Sequence, residues 1–188
     1  MYEVSEGVLI SKQEIDEMVQ RLGEQITKDY RDKDLVLIGV LKGAFIFMAD
    51  LCRAIEIPLA VDFIAMQSYG KETQTSGVVR LIKDVDMDIH GKDIIIVEDI
   101  IDSGLTLQKL TELMEAREPR SIALCTAFDK PSRRKVNIDV DYVGIEVPDE
   151  FIVGYGLDYD ELHRNIPEIR FLDESGQTET MTEAGDTE

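Results

Sequence analysis

Apolar residues along this chain fall into two rhythms, and their alternation predicts an α/β order. Ser11 and Glu14 have the spacing of a capping box, and Ile15, Met18, Val19, Leu22 and Ile26 follow at helical intervals, so an amphipathic first helix is expected. Leu35 to Val40 is an apolar run of strand length, the stretch from Gly43 to Ile55 reads as a largely apolar helix, and Leu59 to Met66 reads as a further strand. That order is a βαβ unit. Ile94 to Val97 lack the polar alternation of a half-wet strand, which suits a parallel sheet covered on both faces; length and β-branching favour strand over buried helix. A helical pattern runs from Thr106 through Leu107, Leu110, Leu113 and Met114. Ile122 to Phe128 and Val140 to Val147 are the next apolar runs, and Phe151 to Val153 reads as another. The expectation is an α/β fold with a central, mainly parallel twisted sheet of about four or five strands flanked by helices.

Chemistry enters where the run ending at Val97 breaks into acids. Glu98, Asp99 and Asp102 crowd together, and Asp102, Ser103, Gly104, Leu105 and Thr106 then supply small, hydrogen-bonding residues where the chain turns into a helix. A loop entering a helix N-terminus is an anion site, because free N–H groups converge there, the helix dipole adds positive charge, and Gly104 allows close backbone approach. The acids would repel a bare phosphate. A ribose 5-phosphate satisfies both halves: phosphate on the amides, 2- and 3-hydroxyls donating to Glu98 and Asp99, and Mg²⁺ offsetting the remaining charge.

Two acids, two aliphatics, then Asp-Ser/Thr-Gly-x-Thr after a hydrophobic strand resembles the phosphoribosyl diphosphate (PRPP) signature of type I phosphoribosyltransferases. The resemblance implies that fold, with a small hood and a flexible lid loop, and it implies PRPP bound by Glu98, Asp99, Asp102, Ser103, Gly104, Leu105 and Thr106. Some relatives carry lysine where Leu105 stands, so phosphate recognition here rests on amides and hydroxyls.

Further positions read two ways until the resemblance is applied. Leu41, Lys42 and Gly43 occupy a turn at a strand's C-terminal end, where open α/β sheets place ligands, although Lys42 also fits a solvated loop. Hypoxanthine-guanine phosphoribosyltransferases have a similar turn whose amides receive pyrophosphate, often through a cis peptide. Gln67 to Gly77 is polar and aperiodic, a surface hairpin or a loop; its Ser68 and Tyr69 resemble the start of the catalytic lid that closes over PRPP. Lys130 is either surface charge or, by resemblance, the donor to a purine 6-oxo group. Residues 146–165 resemble the family's Pro-Asp-x-Phe-Val-Val-Gly-Tyr-x-Leu-Asp-Tyr pattern, which implies Phe151 stacking on the purine, the Ile152 backbone at the base edge, Asp158 near a second Mg²⁺ (Glu98 and Asp99 being the other metal candidates) and Arg164 toward pyrophosphate. Without it, Tyr155 and Tyr159 read as core or interface aromatics. A carboxylate among other acids is a candidate general base for the purine N7 proton, so Asp102 either takes that role or caps the phosphate loop.

Composition bounds the rest. The 188 residues are 44% hydrophobic and 31% charged, enough for one domain over residues 1–172. Residues 173–188 hold six acids and no base, which predicts a mobile acidic tail. Removing it takes the net charge from −19 to −13, so nucleic acid and anionic membrane are not expected partners; a PRPP-sensing RNA-binding regulator would need a basic face. The same charge also suits an ordinary solvated surface. Cys52 and Cys125 read as buried free thiols, and the absence of a long apolar segment predicts a soluble, cytoplasmic protein. The first strand lacks a following G-x-G-x-x-G, which disfavours a dinucleotide oxidoreductase, while adenine or orotate phosphoribosyltransfer would share the PRPP loop without the Lys130 and Phe151 to Asp158 arrangement. The resemblance further implies a 6-oxopurine substrate and a homodimer or homotetramer.

Overall fold

A computed structural model describes residues 3–68 and 79–173. Tyr69 with most of the expected lid, and the acidic tail beyond Asp173, lie outside the described residues; Ser68 ends a strand. The chain runs β1 (Glu3–Ile10), α1 (Lys12–Asp29), β2 (Leu35–Leu41), α2 (Phe45–Ala54), β3 (Leu59–Ser68), β4 (Val79–Lys83), β5 (Asp93–Ile101), α3 (Leu105–Glu115), β6 (Ser121–Asp129), a 3₁₀ turn at Pro131–Arg133, β7 (Tyr142–Glu146), β8 (Ile152–Val153) and β9 (Ile169–Asp173).

The expected capping box starts α1: the Ser11 hydroxyl accepts from the Glu14 N–H, and the Glu14 carboxylate accepts from the Ser11 N–H at 2.8 Å. The helix then buries Ile15, Met18, Val19, Leu22 and Ile26. Gly23 lets it touch α2, since a Cβ there would stand 2.6 Å from Ala54.

The main sheet has the order β4-β3-β2-β5-β6-β7, antiparallel only between β3 and β4. Strand residues alternate faces, which divides the core. Leu35, Leu37, Ile95 and Val97 pack with α1 and α2, while Val36, Ile38, Ile94 and Ile96 pack with α3. Burial on both faces explains why β2 and β5 read as continuous apolar runs. In-register pairing of Leu41 with Ala65, Ile101 with Asp129, and Asp129 with Glu146 brings the C-terminal ends of the parallel strands to one edge. A second, three-stranded antiparallel sheet, β1-β9-β8, forms the small hood.

Several sequence expectations change. The parallel strands number five, as the expected four or five allow, and antiparallel β4, which was not expected, adds a sixth at the edge. Edge strand β4 and hood strands β1 and β9 gave no clear apolar alternation. β8 is only Ile152–Val153, and Phe151 stands outside it, 59% exposed. α2 begins at Phe45, because Lys42 to Ala44 are used in the turn. β5 does not stop at Val97: it continues through Glu98 and Asp99, with Glu98 paired to Thr126 and Ile100 to Phe128. Cys125 is buried as expected, whereas Cys52 is only half-buried; both thiols are free. No helix among the described residues is long and apolar enough to cross a membrane.

Candidate active site

Because Glu98 and Asp99 are consecutive strand residues, their side chains leave opposite faces of the sheet. Glu98 lines a cleft of about 290 Å³ with Asp102, Ser103, Gly104 and Thr106. The Asp99 carboxyl lies instead directly against Gly43, on the side of α2, where any Cβ at residue 43 would collide with it. Burial, reinforced by the Asp99 charge, raises the Glu98 carboxyl well above the usual carboxylate range. Burial likewise lifts Asp99 to about 6, with Arg164 pulling it down and Asp158 pushing it up. Both residues are only half-buried. Desolvated acids of this kind are held ready for a cation or hydroxyl donors to favour their ionised form.

The loop after β5 is a backbone device. Gly104 caps α3 at φ 77°, with no side-chain cap, so the first-turn N–H groups lack intrahelical acceptors; that of Leu105 reaches the Ser103 hydroxyl at 3.4 Å. A Cβ at Gly104 would be strained by that φ and would also press Val136 at 3.0 Å. The segment after β6 braces the loop from behind. Arg134 Nη1 donates to the Asp102 carbonyl at 3.1 Å while its guanidinium pairs with Asp129, and the Lys135 N–H donates to the Ser103 carbonyl at 3.0 Å.

Lys130 is not surface charge. It is 8% exposed, its Nζ donates to the Glu150 carbonyl at 2.8 Å, and it lies 3.9 Å from an Asp102 carboxylate oxygen. The carbonyl it binds belongs to the residue before exposed Phe151, so a hydrogen-bond donor near Asp102 is tied to the segment that presents an exposed aromatic. Ile152 is committed to the hood through its pairing with Phe171. Tyr155 is core, 5% exposed, with its ring edge-on to Phe128 and its hydroxyl donating to Asp50 at 2.8 Å.

The third element is a network of side chains. The Leu41–Lys42 peptide is cis, and Gly156, at φ 101°, lies so close to the Gly43 carbonyl that a side chain there would collide with it. Asp158 and Arg164 are brought together as an ion pair at 2.7 Å; Arg164 Nη1 also donates to the Gly156 carbonyl at 2.7 Å. Glu161 joins Arg164, at 3.3 Å, to Lys42, at 3.0 Å. Sequence reasoning missed Glu161 and Arg134. Neither lies in an apolar pattern, and each acts through a partner that only the fold supplies.

A doubly wound sheet with acids, a helix N-terminus and a buried lysine at the C-terminal edge of its strands defines an α/β protein whose candidate site lies where open sheets of this kind bind ligands. The family described as "Phosphoribosyl transferase domain" matches residues 10–160, and the chain belongs to that family. Among its relatives, hypoxanthine phosphoribosyltransferase of Escherichia coli (strain K12) is 51% identical over 164 residues, which span 86% of this chain and 92% of the relative. Hypoxanthine-guanine phosphoribosyltransferase of Bacillus subtilis (strain 168) is 53% identical over 167 residues, 89% of this chain and 93% of the relative. A crystal structure of a Staphylococcus aureus hypoxanthine phosphoribosyltransferase superposes with a TM-score of 0.88 at 44% identity, covering 93% of this chain and 95% of that one.

Proposed function

We propose that this chain is a purine salvage enzyme that moves the 5-phosphoribosyl group of PRPP to N9 of hypoxanthine or guanine, releasing pyrophosphate and forming IMP or GMP. The observation that carries the reading is the meeting of two recognition devices at Asp102: its backbone belongs to the amide-lined loop, and its carboxylate lies 3.9 Å from buried Lys130. The sugar-phosphate seat and the base donor therefore converge within one residue's reach.

In the proposed reaction the C1–N9 bond forms as the C1–oxygen bond to pyrophosphate breaks, and the electron pair leaves with pyrophosphate. The 5-phosphate is held by the amides and hydroxyls of Ser103 to Thr106, and Glu98 and Asp99 fix the ribose hydroxyls so that C1 faces the base. Lys130 donates to the 6-oxo group, Phe151 stacks on the ring, and the backbone at Ile152 meets the base edge. Asp102 takes the N7 proton. Leu41, Lys42, Gly43 and Arg164 receive pyrophosphate. Ser68 and Tyr69 begin a lid that excludes water from an oxocarbenium-like centre.

The donor set suits Mg²⁺, which takes one or two carboxylates together with substrate oxygens and waters: Glu98 is a desolvated acid in the cleft of the proposed ribose, and Asp99 is a second one beside Gly43 of the turn assigned to pyrophosphate, within the field of Asp158. When bound, Mg²⁺ would neutralise charge developing on the leaving pyrophosphate. A homodimer or homotetramer is part of the same proposal, checked by sedimentation.

A steady-state assay with PRPP and hypoxanthine, guanine, xanthine, adenine or orotate tests the reading, with and without Mg²⁺. Turnover of hypoxanthine or guanine is expected. Turnover confined to adenine or orotate, or no PRPP-dependent turnover, would reject it.

A further inference from the structure

Lys42 and Arg164, the two cations assigned above to pyrophosphate, already share an anion. The Glu161 carboxylate oxygen Oε2 lies 3.0 Å from Lys42 Nζ and 3.3 Å from Arg164 Nη2. Its proton affinity is lowered, first by the Lys42 hydrogen bond and then by that of Arg164. The Lys42 and Glu161 side chains are 67% and 63% exposed, so water competes for this contact and it is a weak one. Among the described residues the buried Arg164 Nε–H finds no acceptor, so the guanidinium is not fully satisfied by the protein.

The backbone presenting Glu161 is itself unusual. Asp160, Glu161 and His163 have φ values of 49°, 65° and 75°, left-handed conformations that side chains other than glycine rarely adopt. The turn is held by the Glu161 N–H donating to Asp158 Oδ2 at 2.9 Å. A strained turn thus delivers one carboxylate to two cations contributed by separate segments, Lys42 after β2 and Arg164 after β8.

We propose that Glu161 is an internal stand-in for pyrophosphate, occupying Lys42 and Arg164 until the diphosphate of PRPP displaces it, and returning to them as pyrophosphate leaves. The proposal rests on the PRPP reading. A carboxylate brings one negative charge to a position where pyrophosphate brings several, so the ligand prevails, but with an affinity lowered by the contact it breaks. The weakness of an exposed pair keeps that penalty small and assists product release.

The test is inhibition by magnesium pyrophosphate, together with the KM for PRPP, in the full chain carrying Glu161→Gln or Glu161→Ala. Removing the competing carboxylate is expected to lower both constants by roughly three- to fivefold, the range an exposed ion pair can supply. The KM for the purine serves as internal reference and moves less. A merely structural role would weaken pyrophosphate binding, because a damaged site does not gain affinity. Unchanged or weaker inhibition in both variants would therefore overturn the proposal while leaving the transferase reading intact; a wild-type chain that uses no PRPP would overturn the reading itself.

Discussion

The loop after β5 and the segment after β8 reach the same cleft by opposite means. From Asp102 to Thr106 the framework is backbone, to which the Asp102 carboxylate and two hydroxyls are added: a glycine cap at φ 77°, N–H groups at the start of α3, and carbonyls tied down by Arg134 and Lys135. From Asp158 to Arg164 they are charged side chains that hold one another: Asp158 with Arg164, Glu161 with Arg164 and with Lys42. A backbone site is written in consecutive residues and barely depends on which side chain follows Gly104, so Leu105 is compatible with the proposed phosphate role. A side-chain network can exchange partners, so it is suited to ligands that must arrive and leave.

The sharpest probe of the first region is Asp102→Asn. It removes the proposed base yet spares the loop, since Arg134 holds the Asp102 carbonyl rather than its carboxylate. A fall in kcat of about 10²–10⁴-fold with little change in the KM for PRPP is expected. Normal turnover would leave Asp102 with only a loop-capping role.

Next in size is Gly43→Ala, at the turn against which the Asp99 carboxyl packs. The added methyl group collides with the Asp99 carboxyl, so either the turn or the acid must move. A loss of about 10²-fold in kcat/KM is expected, the scale of a misplacement near one ångström, with the melting temperature measured alongside. Unaltered activity would show that the turn yields freely and that Asp99 is not fixed by it. Smaller again is Lys130→Ala, which leaves the Glu150 carbonyl without its donor and the base without its 6-oxo partner. The purine KM should rise roughly ten- to hundredfold, the value of a hydrogen bond from a charged group, while the KM for PRPP changes far less. Equal effects on both substrates would place Lys130 with the loop rather than with the base.

The same contrast explains what the sequence disclosed. The strand, acids, turn and helix from Ile94 to Met114 were legible because each piece has a local signature: apolar run, small residues, helical spacing. Placing Glu98 and Asp99 beyond the strand missed that both lie within it, and hence that alternation sends them to different sides of the sheet. Lys42 and Glu161 are 119 positions apart, and in a chain that is 31% charged no local pattern distinguishes Glu161 from its acidic neighbours. Arg134 was hidden for the same reason: its partners, the Asp129 carboxylate and the Asp102 carbonyl, meet only once β5 and β6 are paired. Hood strand β1 escaped because it is only partly covered and its sequence, EVSEGVLI, has no regular apolar alternation.

Asp99 joins the two regions and allows the finest test of how they differ energetically. In the folded chain burial lifts its carboxyl to about 6 from an ordinary 3.8. Below pH 4 it is protonated whether the chain is folded or not, and it does not bias folding. Between about 4 and 6 the unfolded chain ionises while the native one keeps its proton, so this group's contribution to stability falls as pH rises and levels off above 6. Glu98, raised in the same direction by burial, adds to the trend. At 1.36 kcal/mol per unit, discounted for the opening to solvent, the Asp99 penalty at neutral pH is about 1–2 kcal/mol. Asp99→Asn should therefore stabilise the protein by about that amount in urea denaturation at pH 7.5, lose most of the advantage at pH 4.5, and lower PRPP turnover. A gain of equal size at both pH values would mean that packing against Gly43, and not the buried charge, sets the energy of this position.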